Sequence, residues 1–206
     1  TITSVANDLP PHVSLIGFAG APYTLASYMI EGRTSKNFVK TKNLSFSHPT
    51  FFRNLLEILS VGIKKLLTVQ KDAGADVLML FDSWAGSLHP LDYKTFVKPT
   101  VKILLEEIKS ELKLPIIYYP GQNPQIFDEL SDLSHDVMAV DWRCSLQSSS
   151  KQLKNFFVQG NLDPSHLLGP ESFIKEKVNK ILTLAETFFP KKHIFNVGHG
   201  LLPETP

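Results

Sequence analysis

The chain has 206 residues, 43% hydrophobic and 20% charged, with Lys+Arg 21 against Asp+Glu 20 and a formal charge of +1. This balance fits one globular domain or a large piece of one, and it excludes disorder, collagen and coiled coil as overall classes. It gives no electrostatic reason to expect nucleic acid or an anionic membrane as partner, no run approaches the roughly 18 apolar residues of a span, and the single cysteine, Cys144, excludes an intrachain disulfide or a cysteine-rich zinc site.

A reducing, cytoplasmic setting is therefore expected. The sequence starts at Thr1 rather than Met and stops at Pro206. Both ends are expected to be internal to a longer protein.

In chain order, short apolar runs rich in β-branched residues predict six strands: Val13–Phe18, Asp76–Phe81, Pro115–Tyr119, Val137–Val140, Phe156–Gln159 and His193–Val197. Helical patterns lie between them. An extra helix over Ser35–Phe46 precedes the clearest one, Pro49 to Lys71, in which Phe52, Leu55, Leu56, Leu59, Ile63, Leu66 and Leu67 recur at helical spacing. Ser47 is the expected cap, Pro49 suits the first turn and Gly74 the stop. A second helix is expected from Asp92 to Leu112, with Pro99 breaking it in two, and a third from Glu171 to Phe188.

Strands alternating with helices imply parallel strands joined by right-handed crossovers, and the strands read as near-continuous apolar runs, as burial on both faces requires. An open doubly wound sheet and a (β/α)8 barrel both satisfy this. Polar residues follow each strand: Gly17-Phe-Ala-Gly-Ala-Pro22, Phe81-Asp-Ser-Trp-Ala-Gly86, Tyr119-Pro-Gly-Gln-Asn123, Asp141-Trp142, Gly160-Asn-Leu-Asp-Pro164 and Asn196-Val-Gly-His-Gly200. An open sheet concentrates its chemistry at one switch point, so polar residues at six consecutive strand ends favour a barrel mouth.

No Walker loop, nucleophile elbow, H-E-x-x-H or Cys-His cluster is present, and the seven histidines are scattered. A site without metal or cofactor is the simplest reading. His199, between two glycines, is either a turn histidine bonded to backbone or a side chain brought to a pocket floor. Asp82 and Ser83 are either a cap pair or site residues, whereas Asp163-Pro164 reads as a cap with a first-turn proline. Asp141-Trp142 either orients a loop or lines a pocket. Tyr28 is, on its own, an ordinary amphipathic tyrosine. Arginine is scarce, at positions 33, 53 and 143 only.

The stretch Gly17-Phe-Ala-Gly-Ala-Pro-Tyr-Thr-Leu-Ala-Ser-Tyr-Met-Ile-Glu-Gly32 closely resembles a signature of uroporphyrinogen decarboxylases. Phe81-Asp-Ser-Trp-Ala-Gly86, Ala139-Val-Asp-Trp142, Gln159-Gly-Asn-Leu-Asp-Pro164 and Asn196-Val-Gly-His-Gly200 agree in order. Where that family usually carries a lysine–glycine-rich turn, this chain has Pro120-Gly-Gln-Asn123. The resemblance implies a (β/α)8 TIM barrel, usually a homodimer, without cofactor or metal. Its reaction removes four acetate carboxyl groups from uroporphyrinogen, a tetrapyrrole, to give coproporphyrinogen in haem synthesis. It implies Tyr28, Ser83 and His199 as catalytic residues and Phe81, Asp82, Gly121, Asn161 and Gly198 as substrate contacts.

Six strands in 206 residues is about 34 residues per unit, while a complete barrel has eight units in about 250 residues. The expectation is therefore a single partial barrel over residues 1–206, lacking the first two βα units and the last helix. The family's arginine-rich first strand and its pyrrole-binding aspartate would lie on the missing part. Two other readings compete. A zinc- or cobalamin-type methyltransferase of the same superfamily would use histidine and two cysteines, which one cysteine does not supply. A non-catalytic fragment or pseudoenzyme would keep half the site.

Overall fold

The computed structural model describes residues 1–33 and 35–206. Six strands form one sheet: β1 Ile16–Gly20, β2 Val77–Phe81, β3 Ile116–Tyr119, β4 Val137–Ala139, β5 Phe157–Gln159 and β6 His193–Ile194. Every pairing is parallel and the order is sequential, β1 to β6. No strand is inserted out of turn, so the doubly wound alternative is excluded and the sheet is an incomplete (β/α) barrel. Among the described residues, β1 and β6 each pair on one side only.

The helices are α1 Ile2–Asp8, α2 Pro22–Glu31, α3 Val39–Ser47, α4 Pro49–Asp72, α5 Pro90–Asp92, α6 Lys98–Leu112, α7 Leu146–Leu153 and α8 Glu171–Phe188. Strand side chains alternate between two environments, as a period of two dictates. Leu78, Leu80, Ile116, Tyr118, Met138 and Val158 join the large core that the helices cover. Met79, Ile117, Tyr119, Val137 and Ala139 form a second cluster made of strand residues only, with Val77 and Phe81 against it. This second face is the barrel's inner surface and carries the cleft described below.

Helix α4 forms because its apolar residues share one stripe. Phe52, Leu56, Ile63 and Leu67 are buried, and Leu55 and Leu59 pack at the margin. Leu66 falls off the stripe and is exposed. Pro49 opens the helix as expected, but Ser47 does not cap it. His48 holds the cap position, and the Ser47 hydroxyl donates back to the Asn43 carbonyl at 2.6 Å. Ser47 still belongs to α3, whose last turn claims its hydroxyl.

Pro99 does not split a helix. It sits in the first turn of α6, where its missing N–H costs nothing, and a π-helical turn at Tyr93–Val97 joins α5 to α6. The first strand lies further along than expected. The Leu15 N–H is taken by Asp76 Oδ2 at 2.7 Å, and the ladder to β2 begins at Ile16 opposite Val77. The last strand is shorter than expected. Beyond Ile194 only an isolated bridge between Leu162 and Val197 continues the pairing.

Candidate active site

A cavity of about 260 Å³ opens at the carboxyl ends of the strands, on the inner face. Met79 and Phe81 of β2, Tyr119 of β3, Ala139 of β4 and Gln159 of β5 form its floor, and Ser83 and the 196–200 loop form its sides. Phe81 meets Phe18 edge-on at 5.8 Å and Tyr119 at 6.0 Å, so the floor is an aromatic row. Ser83, Phe81, Gly198 and His199 therefore share one cavity.

Tyr28 does not line it. Tyr28 is 43% exposed on α2 and meets Trp84, the residue after Ser83, edge-on at 5.9 Å. It stands beside the Ser83 loop.

The loop carrying Ser83 is fixed from below. The Asp82 N–H donates to the Tyr119 carbonyl at 2.8 Å, and the Trp84 N–H donates to Thr24 Oγ1 at 3.3 Å. Asp82 has no solvent exposure. Its carboxylate accepts from Thr24 Oγ1 at 2.9 Å and from the Tyr118 hydroxyl at 3.0 Å. Burial pushes its pKa up to about 6, and the Thr24 and Tyr118 hydrogen bonds oppose the rise.

Asp82 thus lies beneath the site, with each of its oxygens accepting from a protein donor. It is not a helix cap. Gly121 packs against the same loop. It is buried at φ 80°, and a Cβ there would meet Gly86 N and Ser83 O at 2.8 Å, so it locks two loops together. Asn161 is buried and bonded to backbone. Its Nδ2 donates to the Asp141 carbonyl at 3.1 Å and the Cys144 carbonyl at 2.7 Å, away from the cleft.

The 196–200 loop is pinned by the Gly198 N–H to the Leu162 carbonyl at 2.8 Å and by the Leu162 N–H to the Asn196 carbonyl at 3.0 Å. Gly198 lies against the backbone of Trp142. A Cβ there would collide with Trp142 N and come within 2.7 Å of its Cα. The glycine before His199 is therefore a packing requirement, and the histidine is displayed at the cavity wall instead of being buried in a turn.

Asp141 and Trp142 divide the roles left open for them. Asp141 is 2% exposed and orients its loop. It accepts from Tyr119 Oη at 3.3 Å, from the Arg143 N–H at 2.9 Å and from Arg143 Nη1 at 3.0 Å. Trp142 lines a second cavity beside the first. Asp163 caps as expected, taking the Ser165 N–H at 2.8 Å.

Sequence reasoning missed Gln159 and Tyr119 in the cleft. A signal for Gln159 existed: a polar residue ending an apolar strand, facing Ala139 across the ladder. Among the described residues no three His, Cys, Asp or Glu side chains are placed to hold a metal ion, and Cys144 is buried against Ser149 Oγ at 3.2 Å.

The chain matches the uroporphyrinogen decarboxylase (URO-D) family over residues 1–206. It is 42% identical over 200 residues to the uroporphyrinogen decarboxylase of Thermodesulfovibrio yellowstonii, covering 97% of this chain and 57% of that protein. It is 42% identical over 207 residues to the uroporphyrinogen decarboxylase of Listeria monocytogenes, covering 100% of this chain and 58% of that one. The chain thus spans little more than half the length of these curated relatives.

Among solved structures it is similar to a methyltransferase from Methanosarcina mazei. The TM-score is 0.83 at 20% sequence identity, covering 100% of this chain and 58% of that chain. It is also similar to a B12-independent methionine synthase from Shewanella sp., with a TM-score of 0.68 at 12% identity, covering 98% of this chain and 60% of that one. At such identities these two likenesses establish the fold alone. By sequence over its whole length, the chain belongs to the uroporphyrinogen decarboxylase family.

Proposed function

We propose that the protein containing this chain decarboxylates uroporphyrinogen, converting its four acetate arms to methyl groups. The observation that carries the proposal is the family match over all 206 residues together with a cleft at the strand ends that holds Ser83 and His199. On this reading the pyrrole takes a proton on carbon and becomes a cation. Carbon dioxide leaves, and its bonding pair flows into the ring system to leave an exocyclic methylene. A second proton on that carbon completes the methyl group, and the ring carbon gives up the first proton to restore the pyrrole, so that one net proton replaces each carbon dioxide.

Ser83 and His199 offer hydrogen bonds from the lining of one cavity, and Tyr28 offers one from beside the Ser83 loop. Their work is positioning, since holding a substrate in its reactive geometry supplies much of a barrier reduction. The apolar floor of Phe81, Tyr119 and Met79 suits the flat face of a pyrrole. The cation's counter-charge and most carboxylate clamps come, on this reading, from the remainder of a single barrel domain, whose further βα units pair with the free edges of β1 and β6. Homodimer assembly and a cytoplasmic setting follow from the family resemblance and belong to the same proposal.

The test is turnover of uroporphyrinogen by the longest natural chain that includes these residues, with products separated by carboxyl number. Appearance of hepta- to tetracarboxylate products is expected. No carbon dioxide release under anaerobic conditions would sink the proposal.

A further inference from the structure

Beside the cleft lies a second cavity of about 420 Å³, and the two share His199 and Gly200. Trp142, Arg143, Ser165 and Gln122 are among its other walls. Among the described residues, Arg143 is the one arginine in either cavity.

Its guanidinium is held in a defined pose. Nη1 donates to both oxygens of Asp141 at 3.0 Å, and Cζ sits 4.2 Å from the Trp142 ring centroid. Asp141 is itself fixed by the Tyr119 hydroxyl and the Arg143 N–H. Nε and Nη2 have no hydrogen-bond partner among the described residues, and the side chain remains 45% exposed. A guanidinium clamped along one edge, stacked on one face and open along the other is arranged to accept a carboxylate in a fork. Asp163, also at this cavity, directs Oδ1 to the Ser165 N–H and hydroxyl at 2.8 and 2.7 Å. The Ser165 loop is thereby ordered, and Arg143 lines the same cavity.

We propose that Arg143 binds a carboxylate arm of the tetrapyrrole substrate, with the ring over the Phe81–Tyr119 floor and His199 between the two cavities; this rests on the decarboxylase reading. The arm is one of the carboxylates that the reaction leaves in place, because Arg143 lies in the neighbouring cavity and not on the cleft floor. Asp141 is a positioning residue, acting through Arg143. Tyr119 joins the two sites, since its ring forms the floor and its hydroxyl holds Asp141.

The experiment is binding of uroporphyrin, the oxidised octacarboxylate, followed by fluorescence anisotropy with the full natural protein. Wild type, Arg143→Ala, Arg143→Lys and Lys151→Ala are compared, the last removing an equal charge from an exposed helix position. Hydrogen bonds to a charged group predict roughly a tenfold or greater loss of affinity for Arg143→Ala. Partial recovery is expected in Arg143→Lys, which keeps the charge but not the fork, and no change is expected in Lys151→Ala. Equal affinity of Arg143→Ala and wild type, an equal loss in Lys151→Ala, or no binding by wild type overturns the proposal. Turnover measured in parallel separates the two readings: Arg143-dependent binding without any decarboxylation leaves the carboxylate contact standing and removes the assigned reaction.

Discussion

The Tyr118 hydroxyl donates to Asp82 Oδ2 at 3.0 Å, and both side chains are wholly buried. Tyr93, equally buried, lies 3.0 Å from the same hydroxyl and supplies it with a donor. Asp82 thus sits at the end of a short chain of hydroxyls, directly beneath the loop that presents Ser83. Its pKa is raised from the ordinary 3.8 to about 6, with burial as the main cause. The folded state therefore holds this proton more tightly than the unfolded chain. The resulting stability is full below about pH 4 and is lost as pH rises through 6, amounting to about 3 kcal/mol for a two-unit shift. Asp82→Asn keeps the shape and cannot ionise. Relative to this variant, wild type should lose about that much stability between pH 4 and 7 in urea unfolding. Parallel pH curves for the two proteins would count against the argument.

His135 gives the opposite slope. It is buried, stacked on Phe156 at 4.4 Å, and among the described residues neither ring nitrogen has a hydrogen-bond partner. Burial lowers its pKa from 6.5 to about 4. Here the unfolded state binds the proton more tightly, so stability falls as pH drops from about 6.5 towards 4. The two buried groups largely cancel in wild type over this range. His135→Phe should be about 1 kcal/mol more stable at pH 7, because it removes two unsatisfied polar atoms and keeps the stacking. It should also lose the acid-side decline that His135 contributes. Destabilisation by His135→Phe at pH 7 would show that a water or a donor serves the ring.

Much of this frame was legible in the sequence, since apolar runs mark buried strands whatever their partners. The six strands, their parallel order and the long helix α4 follow from period and spacing. Helices α1 and α7 escaped notice for a physical reason. The sequence of α7, Leu-Gln-Ser-Ser-Ser-Lys-Gln-Leu, has serines with low helix propensity and an apolar residue only at each end. It is helical because Ser145 caps it and Leu146 and Leu153 bury against the core. The burial of Asp82 was illegible because its partners Thr24 and Tyr118 stand 58 and 36 positions away. Ser83 and His199 were found through ordered motif blocks, whereas Gln159 and Arg143 reach their cavities through strand parity and loop geometry.

Gly198→Ala tests the loop that carries His199. The added Cβ meets Trp142 backbone atoms, which cannot yield as a flexible side-chain end would. The loop must move, and His199 moves with it. A shift of about 1 Å at a positioning group can lower a rate by roughly 100-fold. The expected result in the full protein is a loss of that order in kcat/KM, with unfolding stability reduced by about 1–3 kcal/mol. Unchanged activity in Gly198→Ala would separate His199 from the reaction.

Tyr28 poses a cleaner question, because it is half exposed and its hydroxyl supports no packing. Tyr28→Phe should change stability by less than about 0.5 kcal/mol. If the hydroxyl meets substrate, kcat/KM should fall roughly tenfold, consistent with a lost hydrogen bond of about 1–1.5 kcal/mol. Ser83→Ala should behave similarly, while retaining the Asp82 network beneath it. A Tyr28→Phe protein with full activity would leave Tyr28 as a packing partner of Trp84.

The 206-residue polypeptide taken alone should be a poor catalyst and prone to self-association. Among the described residues Arg143 is the only arginine at either cavity, and it is shared with Asp141, so little positive charge is available to hold a polycarboxylate substrate. Among the described residues no carboxylate lines the main cavity to balance a pyrrole cation. Losing one preorganised electrostatic group commonly costs roughly 100- to 1000-fold in rate. The free side of β1 compounds the problem, because Ile16 and Phe18 are 41% and 59% exposed on the inner face beside an unpaired strand edge. Such an edge recruits another chain. The expected outcome is a rate at least 100-fold below that of a protein of the relatives' full length, with light scattering that rises with concentration. Charged substitution of Phe18, as Phe18→Lys, should reduce that association, because a lysine on an open edge disfavours pairing. A monodisperse 206-residue chain turning over within tenfold of the longer protein would mean that the cleft described here is catalytically complete.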